Sequence, residues 1–250
     1  MKFKMLDSDL LRKLFSSVQI LGDEAELKID ADGISIRMMD PSRVAMVDTR
    51  WPKAAFEEYA KPKANEKVRL NIAELMKLLK RASREEATEL ELDDKTGRVH
   101  VRITGKYNKN FTLPTLESSD EELPVPKIAF NAWFKFTSTG LSTAIEDTQL
   151  VSDHVQFLAE DDKLMLNAQG DLMTANIELT KGSSDFLDVK IKEKSKATYN
   201  LQYLEAMIKQ AAALTEITTI EFSNDMPVKM NNEKNSVVLT YYLAPRIEAE

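Results

Sequence analysis

The chain has no cysteine among its 250 residues, only two histidines and only seven glycines. Without cysteine there are no disulfide staples and no Cys-ligated zinc, a pattern that fits a reducing compartment. Of the two histidines, His100 lies in the alternating stretch "RVHVRI" and reads as a surface residue of a strand. The few glycines leave no GxGxxG and no GxxxxGK[ST], and HExxH is also missing. "TGK" at Thr104–Lys106 lacks the upstream glycine of a phosphate loop, and Ser42 sits in "DPSRV" rather than GxSxG. The acids from Asp120 to Glu122 fall in a Pro/Ser-rich stretch and read as solvated charge rather than a metal site. No catalytic constellation and no cofactor motif emerges, so the reading is a non-enzyme. No apolar run approaches the length of a membrane span, and the start "MKFKMLDSDL" is too charged for a signal peptide. The expectation is a cytoplasmic protein, nucleoid-associated in a prokaryote or nuclear in a eukaryote, with no membrane partner.

What the chain does have is a repeat. "NIAELMKLLKRAS" from Asn71 matches "NLQYLEAMIKQAA" from Asn200, and strand-like "TELEL" and "TTIEF" follow them. "LKIDADGISIR" (Leu27 to Arg37) matches "FLAEDDKLMLN" (Phe157 to Asn167), with Ile34 and Ile36 opposite Leu164 and Leu166. Both offsets are about 130 residues, too long for a solenoid period of roughly 20–50 residues. Two copies of one domain are expected. Between them "PTLESSDEELPVPK" (Pro114 to Lys127) carries three prolines and keeps no helical or strand period. It reads as an extended linker, the alternative being a long loop in one domain. The boundaries are 1–116, a connector 117–127, and 128–250.

Each half contains short alternating strands and two helices, an α+β pattern with antiparallel pairing. Helix one runs from Asp7–Ser8 to about Leu21, and helix two from Ile72 to Ser83. Their counterparts are Thr139–Ser152 and Leu201–Ala213. On a helical wheel, Ile72, Leu75, Met76, Leu79 and Ala82 form an apolar face. Lys77, Lys80, Arg81 and Arg84 fall on the other side. Arg12 and Lys13 lie off the apolar face of helix one, and Lys209 off that of the last helix. The ordinary reading of a charged helix face is solvation. Yet the net charge is −7, so positive charge has been segregated onto helices. A phosphate-bearing partner explains that, because Lys and Arg contacts to phosphate need no base sequence. No helix-turn-helix, zinc finger or stacked aromatic platform suggests base reading. The helix at Thr139–Ser152 departs from the pattern, presenting Thr143, Glu146 and Asp147.

Three segments carry a likeness to a known family. "DGISIRMMDPSRVAMVD" (Asp32 to Asp48), "LVSD" (Leu150 to Asp153) and "YYLAPRIEAE" (Tyr241 to Glu250) resemble the archaeal and eukaryotic sliding clamp, proliferating cell nuclear antigen. "DPSRV" together with a terminal "LAPRIE" is specific, and the likeness extends over the whole chain. It implies the DNA-clamp fold, with sheets outside and helices inside. Three subunits would make a pseudo-sixfold ring around double-stranded DNA, a homotrimer that performs no chemistry. It implies DNA polymerase, flap endonuclease, DNA ligase and the ATP-dependent clamp loader, replication factor C, as partners.

The family's client-peptide (PIP-box) pocket maps onto Met39, Arg43, Val44 and Met46, onto Leu123, Val125 and Pro126, and onto Pro227, Tyr242, Leu243, Ala244 and Pro245. For Met39 and Met46 the competing reading is core packing. Subunit edges map near Lys106–Leu113 and Leu172–Thr180, including Lys109, Phe111, Ala175 and Ile177. Glu146 and Asp147 are expected to face Arg81, Arg84 or Lys109 of a neighbouring subunit, which gives Arg81 two candidate roles. The rival readings are a clamp-fold interaction scaffold that does not hold DNA, and one subunit of a heterotrimer.

Overall fold

A computed structural model describes residues 1–60, 62, 65–119 and 122–247. Of the acids at Asp120–Glu122, the first two lie outside the described residues. The chain divides into two compact units. The first comprises Met1–Pro41, Val47–Pro124 and Lys234–Val238, and the second comprises Ser42–Met46, Val125–Glu233 and the residues from Leu239 on.

The first unit follows the order β1 (Lys2–Met5), α1 (Ser8–Gln19), β2 (Glu24–Asp30), β3 (Gly33–Met39), β4 (Ala45–Pro52) and β5 (Glu58–Ala60). It continues with β6 (Glu66–Asn71), α2 (Ile72–Leu79), β7 (Ala87–Asp93), β8 (Arg98–Thr104) and β9 (Lys109–Pro114). The second begins β10 (Ala132–Thr137), α3 (Ser138–Gln149), β11 (His154–Glu160), β12 (Lys163–Gln169), β13 (Thr174–Leu179) and β14 (Phe186–Ile191). It ends β15 (Ser195–Asn200), α4 (Leu201–Leu214), β16 (Ile217–Phe222), β17 (Val228–Lys234) and β18 (Val237–Leu243). The strands and α-helices follow the same order in both; the first unit adds a short 3-10 turn at Lys53–Ala55.

The sheets repeat as well. Strand order β5-β1-β7-β8-β9 in the first unit becomes β14-β10-β16-β17-β18 in the second. Order β4-β3-β2-β6 becomes β13-β12-β11-β15. The two Asn residues that open the repeated helices explain why both copies keep them. Asn71 Oδ1 accepts the Glu74 N–H at 2.8 Å, and Asn200 Oδ1 accepts that of Tyr203 at 3.2 Å. Each caps its helix, a contribution of about 1 kcal/mol. Just after each cap, the Ile72 and Leu201 N–H groups bond the Asp23 and Asp153 carbonyls. Buried hydroxyl pairs recur too: Ser8 Oγ with Thr88 Oγ1 at 2.6 Å, and Ser138 Oγ with Thr218 Oγ1 at 2.8 Å.

Helix α2 buries Ile72, Leu75, Met76 and Leu79, each burial worth roughly 1.5–3 kcal/mol. It is shorter than its periodicity suggests. Lys80 caps it, and the Arg81 and Ala82 N–H groups turn back to the Leu78 and Leu79 carbonyls. Arg81 and Arg84 therefore stand on the following turn, not on the helix. Ala82 stays buried because that turn continues over the same apolar face. The first unit's core centres on Trp51, packed edge-on against Phe15 at 5.0 Å. The second centres on Phe134, Phe136, Phe157, Tyr199 and Phe222.

Candidate nucleic-acid surface, strand edges and partner surface

The expected cations differ sharply in how free they are. On α1, Arg12 and Lys13 both pair with Asp9, the latter at 2.9 Å. Lys13, foremost, holds the Asp9 carboxyl below the usual carboxylate range. On α2, Lys77 pairs with Glu74 at 2.6 Å, one turn away. On α4, Lys209 pairs with Glu205 and lies 3.9 Å from Glu146. Glu205 raises the Lys209 pKa, and Lys209 lowers that of Glu205. The exposed side chains of Lys80, Arg81 and Arg84 have no carboxylate within 4 Å among the described residues. The cations of the expected set without a close carboxylate are thus the three on the α2–β7 turn, of which Arg84 still acts at longer range on Asp9.

Helix α3 presents Thr143, Glu146 and Asp147 to solvent, as its sequence suggested. Glu146 accepts a bond from the Ser142 hydroxyl at 3.3 Å besides lying near Lys209. Lys109 is engaged within its own unit. Its ammonium donates to the Arg81 carbonyl at 2.7 Å and to both Glu86 oxygens at 2.9 Å. The Ser83 N–H, first, and then Lys109 hold Glu86 below the ordinary glutamate range. So the turn that carries the free cations is braced by an ion pair from β9.

Strand β9 ends the sheet β5-β1-β7-β8-β9, and β13 ends the sheet β13-β12-β11-β15. On β9, Lys109, Phe111 and Leu113 are half-buried and alternate with exposed neighbours; on β13, Ala175, Ile177 and Leu179 do the same. Each strand has one unpartnered edge within its unit, a row of backbone donors and acceptors that an incoming strand can use. Leu172 and Met173, before β13, are exposed as well.

In the second unit, the Ala244 N–H bonds the Val44 carbonyl at 2.8 Å, which fastens the terminal segment to the "DPSRV" loop. That loop turns through Arg43, held at φ 58°. Val44 is 37% exposed and Val125 39%, while Pro126, Pro227, Ala244 and Pro245 are half-buried. Met46 is 4% exposed and belongs to the core, as do Tyr242 and Leu243. Buried side chains of this kind can shape a surface but not line it. Met226, 40% exposed beside Pro227, was not anticipated.

Met39 and Leu123 belong to the first unit and are both half-buried. There the connector is pinned at three points. The Leu116 N–H bonds the Arg69 carbonyl at 2.9 Å, and the Ser119 N–H bonds Glu26 Oε2 at 3.0 Å. Arg37 Nη1 donates to the Leu123 carbonyl at 2.9 Å, while its Nη2 pairs with Asp48 at 3.1 Å. Arg69, Glu26 and Arg37 stand on β6, β2 and β3, successive neighbours in one sheet. Sequence reasoning missed Arg37 and Glu26. Their one signal was an outward-facing charge on strands otherwise read for their apolar face.

Comparison with known proteins decides the family. Residues 1–120 match the family model "Proliferating cell nuclear antigen, N-terminal domain", and residues 124–247 match "Proliferating cell nuclear antigen, C-terminal domain". "DNA polymerase sliding clamp 1" of Pyrobaculum aerophilum is 32% identical over 245 residues, covering 97% of each chain. The chain belongs to the proliferating cell nuclear antigen family of DNA polymerase sliding clamps. The DNA polymerase sliding clamp of Pyrococcus furiosus is also 32% identical, over 237 residues and 94% of each chain. Among solved structures, the PCNA of Thermococcus kodakaraensis superposes with a TM-score of 0.91 at 25% identity, covering 98% of this chain and 99% of that one. A PCNA2–PCNA3 complex of Sulfolobus tokodaii gives 0.90 at 28% identity, covering 99% and 100%.

The α+β clamp fold and the sliding-clamp function are thereby established, and the family is one of non-catalytic processivity factors. For a clamp the uneven charge matters. DNA has to be attracted without being gripped, and exposed, unpaired cations do that through weak, sequence-independent phosphate contacts. Of the expected cations, Lys80, Arg81 and Arg84 on the first domain have no carboxylate within 4 Å among the described residues, whereas Lys209 of the second is matched by acids.

Proposed function

We propose that this clamp acts as a ring of three identical chains around duplex DNA and tethers replication and repair enzymes to it. The carrying observation is the free trio Lys80, Arg81 and Arg84 on the α2–β7 turn, in a chain whose net charge is −7. In the ring these cations face phosphate, three sets in all, and the DNA slides because each contact is weak. Strands β9 and β13 supply the subunit contact. Each has a free edge and alternating half-buried side chains, so Phe111 and Leu113 of one chain meet Ala175 and Ile177 of the next. A head-to-tail contact of this kind closes into a ring when its rotation divides the circle. Glu146 and Asp147, both exposed on α3, add negative charge to that contact.

Client enzymes (polymerase, flap endonuclease, ligase and the clamp loader) dock a peptide with apolar and aromatic anchors beside Val44 and Val125. Leu123, held by Arg37, fixes the connector two residues before Val125. The domains are taken as 1–116 and 128–250, joined by 117–127.

Two measurements test this reading. Sedimentation equilibrium of the purified chain is expected to give about three chain masses. Loaded clamp is expected to stay on circular DNA and to be lost when the circle is cut. A chain that stays monomeric until a different clamp subunit is added makes it one part of a heterotrimer. Equal retention on circular and linear DNA, or none on either, leaves only a protein-binding scaffold.

A further inference from the structure

The duplication exposes a second binding surface. In the first unit the connector lies across Arg69, Glu26 and Arg37, held by the three bonds given above. The offset of about 130 residues carries those positions to Thr198, Gln156 and Asn167 in the second unit. The register makes them one row: Thr198 pairs with Gln156, Gln156 with Asn167, and Asn167 with Asn176 on the edge strand. The first bond of the track is also repeated. The Arg246 N–H bonds the Thr198 carbonyl at 2.7 Å, as the Leu116 N–H bonds that of Arg69.

Beside Arg246 this row lines a hollow of about 390 Å³. The chemistry of the row has changed between the copies. In the first unit its members are charged and committed, Arg69 to Glu24 at 3.0 Å and Arg37 to Asp48 at 3.1 Å. In the second they are a hydroxyl and carboxamides, which can serve either a backbone N–H or a backbone carbonyl. Among the described residues no carboxylate lines the hollow, and the formal charge on its lining is Arg246. Arg246 Nη1 donates to the His154 ring at 3.1 Å, and the guanidinium has no ion pair among the described residues. Burial, then Arg246, lowers the His154 pKa, so the ring accepts that bond as neutral imidazole; Asp153 is the acid that acts against this.

We propose that the row Thr198–Gln156–Asn167–Asn176 is a docking track for an extended segment of a partner protein, with an acidic side chain of that segment set against Arg246. The sister domain holds an extended segment on the equivalent row, and Arg246, without an ion pair among the described residues, selects for a carboxylate. Arg246 lies two residues beyond Ala244, about 7 Å along an extended chain. A peptide docked beside Val44 and Ala244 therefore reaches the track with its next few residues. In this respect the inference rests on the client-docking reading.

The test uses the intact clamp and labelled synthetic peptides. One carries only an apolar–aromatic anchor, and others carry the same anchor extended at either end by a Ser-Glu repeat. One extension is expected to tighten binding about tenfold, from two neutral hydrogen bonds and one charged one less their ordering cost. Salt should erode the gain. Arg246→Ala, and separately Gln156→Ala with Asn167→Ala, should abolish it while leaving the anchor-only affinity unchanged. If the anchor peptide binds but neither extension adds affinity, or the gain survives both variants, the track is refuted and client docking stands. If the anchor peptide itself does not bind, client docking fails and the track fails with it. If Arg246→Ala loses DNA retention with the peptide gain intact, the row serves phosphate and the proposal is overturned.

Discussion

Neutralising the free cations should change the salt dependence of DNA binding far more than neutralising Lys209. The perturbation is Lys80→Gln, Arg81→Gln and Arg84→Gln together. These side chains are exposed and unpaired, so stability should shift by only about 0.5 kcal/mol or less for each. On duplex DNA each lost phosphate contact reduces the slope of log K against log salt by about 0.9. Three contacts on a chain that faces DNA amount to roughly 2.7. Between about 50 and 200 mM salt that slope corresponds to about 40-fold in affinity. Lys209→Gln should leave the slope close to its wild-type value, because Glu205 and Glu146 already offset that charge. The assay is fluorescence anisotropy of a duplex oligonucleotide over a salt series, with the assembly checked by sedimentation. An unchanged slope in the triple variant, or an equal drop for Lys209→Gln, refutes the assignment.

Further outcomes follow from particular contacts. Arg37→Ala removes the Leu123 tether and leaves Asp48 without its partner, so limited proteolysis should cut near residue 123 several-fold faster at unchanged native fold. Equal cutting rates would show that the tether does not hold the connector. Gly33→Ala should destabilise the protein by more than about 1 kcal/mol in urea unfolding, a conflict of backbone rather than packing. A Cβ there would lie 2.1 Å from the Trp51 carbonyl, at φ 149°. Glu86 has a lowered folded pKa, so its pairing stabilises fully above the ordinary value of 4.5 and is lost as pH falls through the lowered one. The stability gap between wild type and Glu86→Gln should thus be constant near neutrality and shrink in acid; a gap that widens in acid is incompatible with the Lys109 pairing.

The repeat was legible because its signals are local. An Asn cap, an apolar face at helical spacing and alternating strands depend on neighbours within a few residues, and both copies retain them. The same signals extended α2 to Ser83, because Ala82 keeps the apolar period past the point where the helix stops. Met46 looked like a surface residue by likeness and is core, since burial depends on what packs above it from distant parts of the chain.

The sequence by itself determined the two-copy architecture, the helices and most strands, and through its terminal and loop motifs the family. The tertiary structure decided that Lys80, Arg81 and Arg84 stand on a turn braced by Lys109, with no carboxylate within 4 Å of their side chains among the described residues. Lys13, Lys77 and Lys209 are as cationic as Lys80, but each lies within reach of a carboxylate. Only the fold, likewise, set Arg69, Glu26 and Arg37 in one row under the connector, and Thr198, Gln156 and Asn167 in its counterpart. In each copy two of these residues stand on the two strands of one hairpin and the third on a strand from later in the chain, and register is what aligns them.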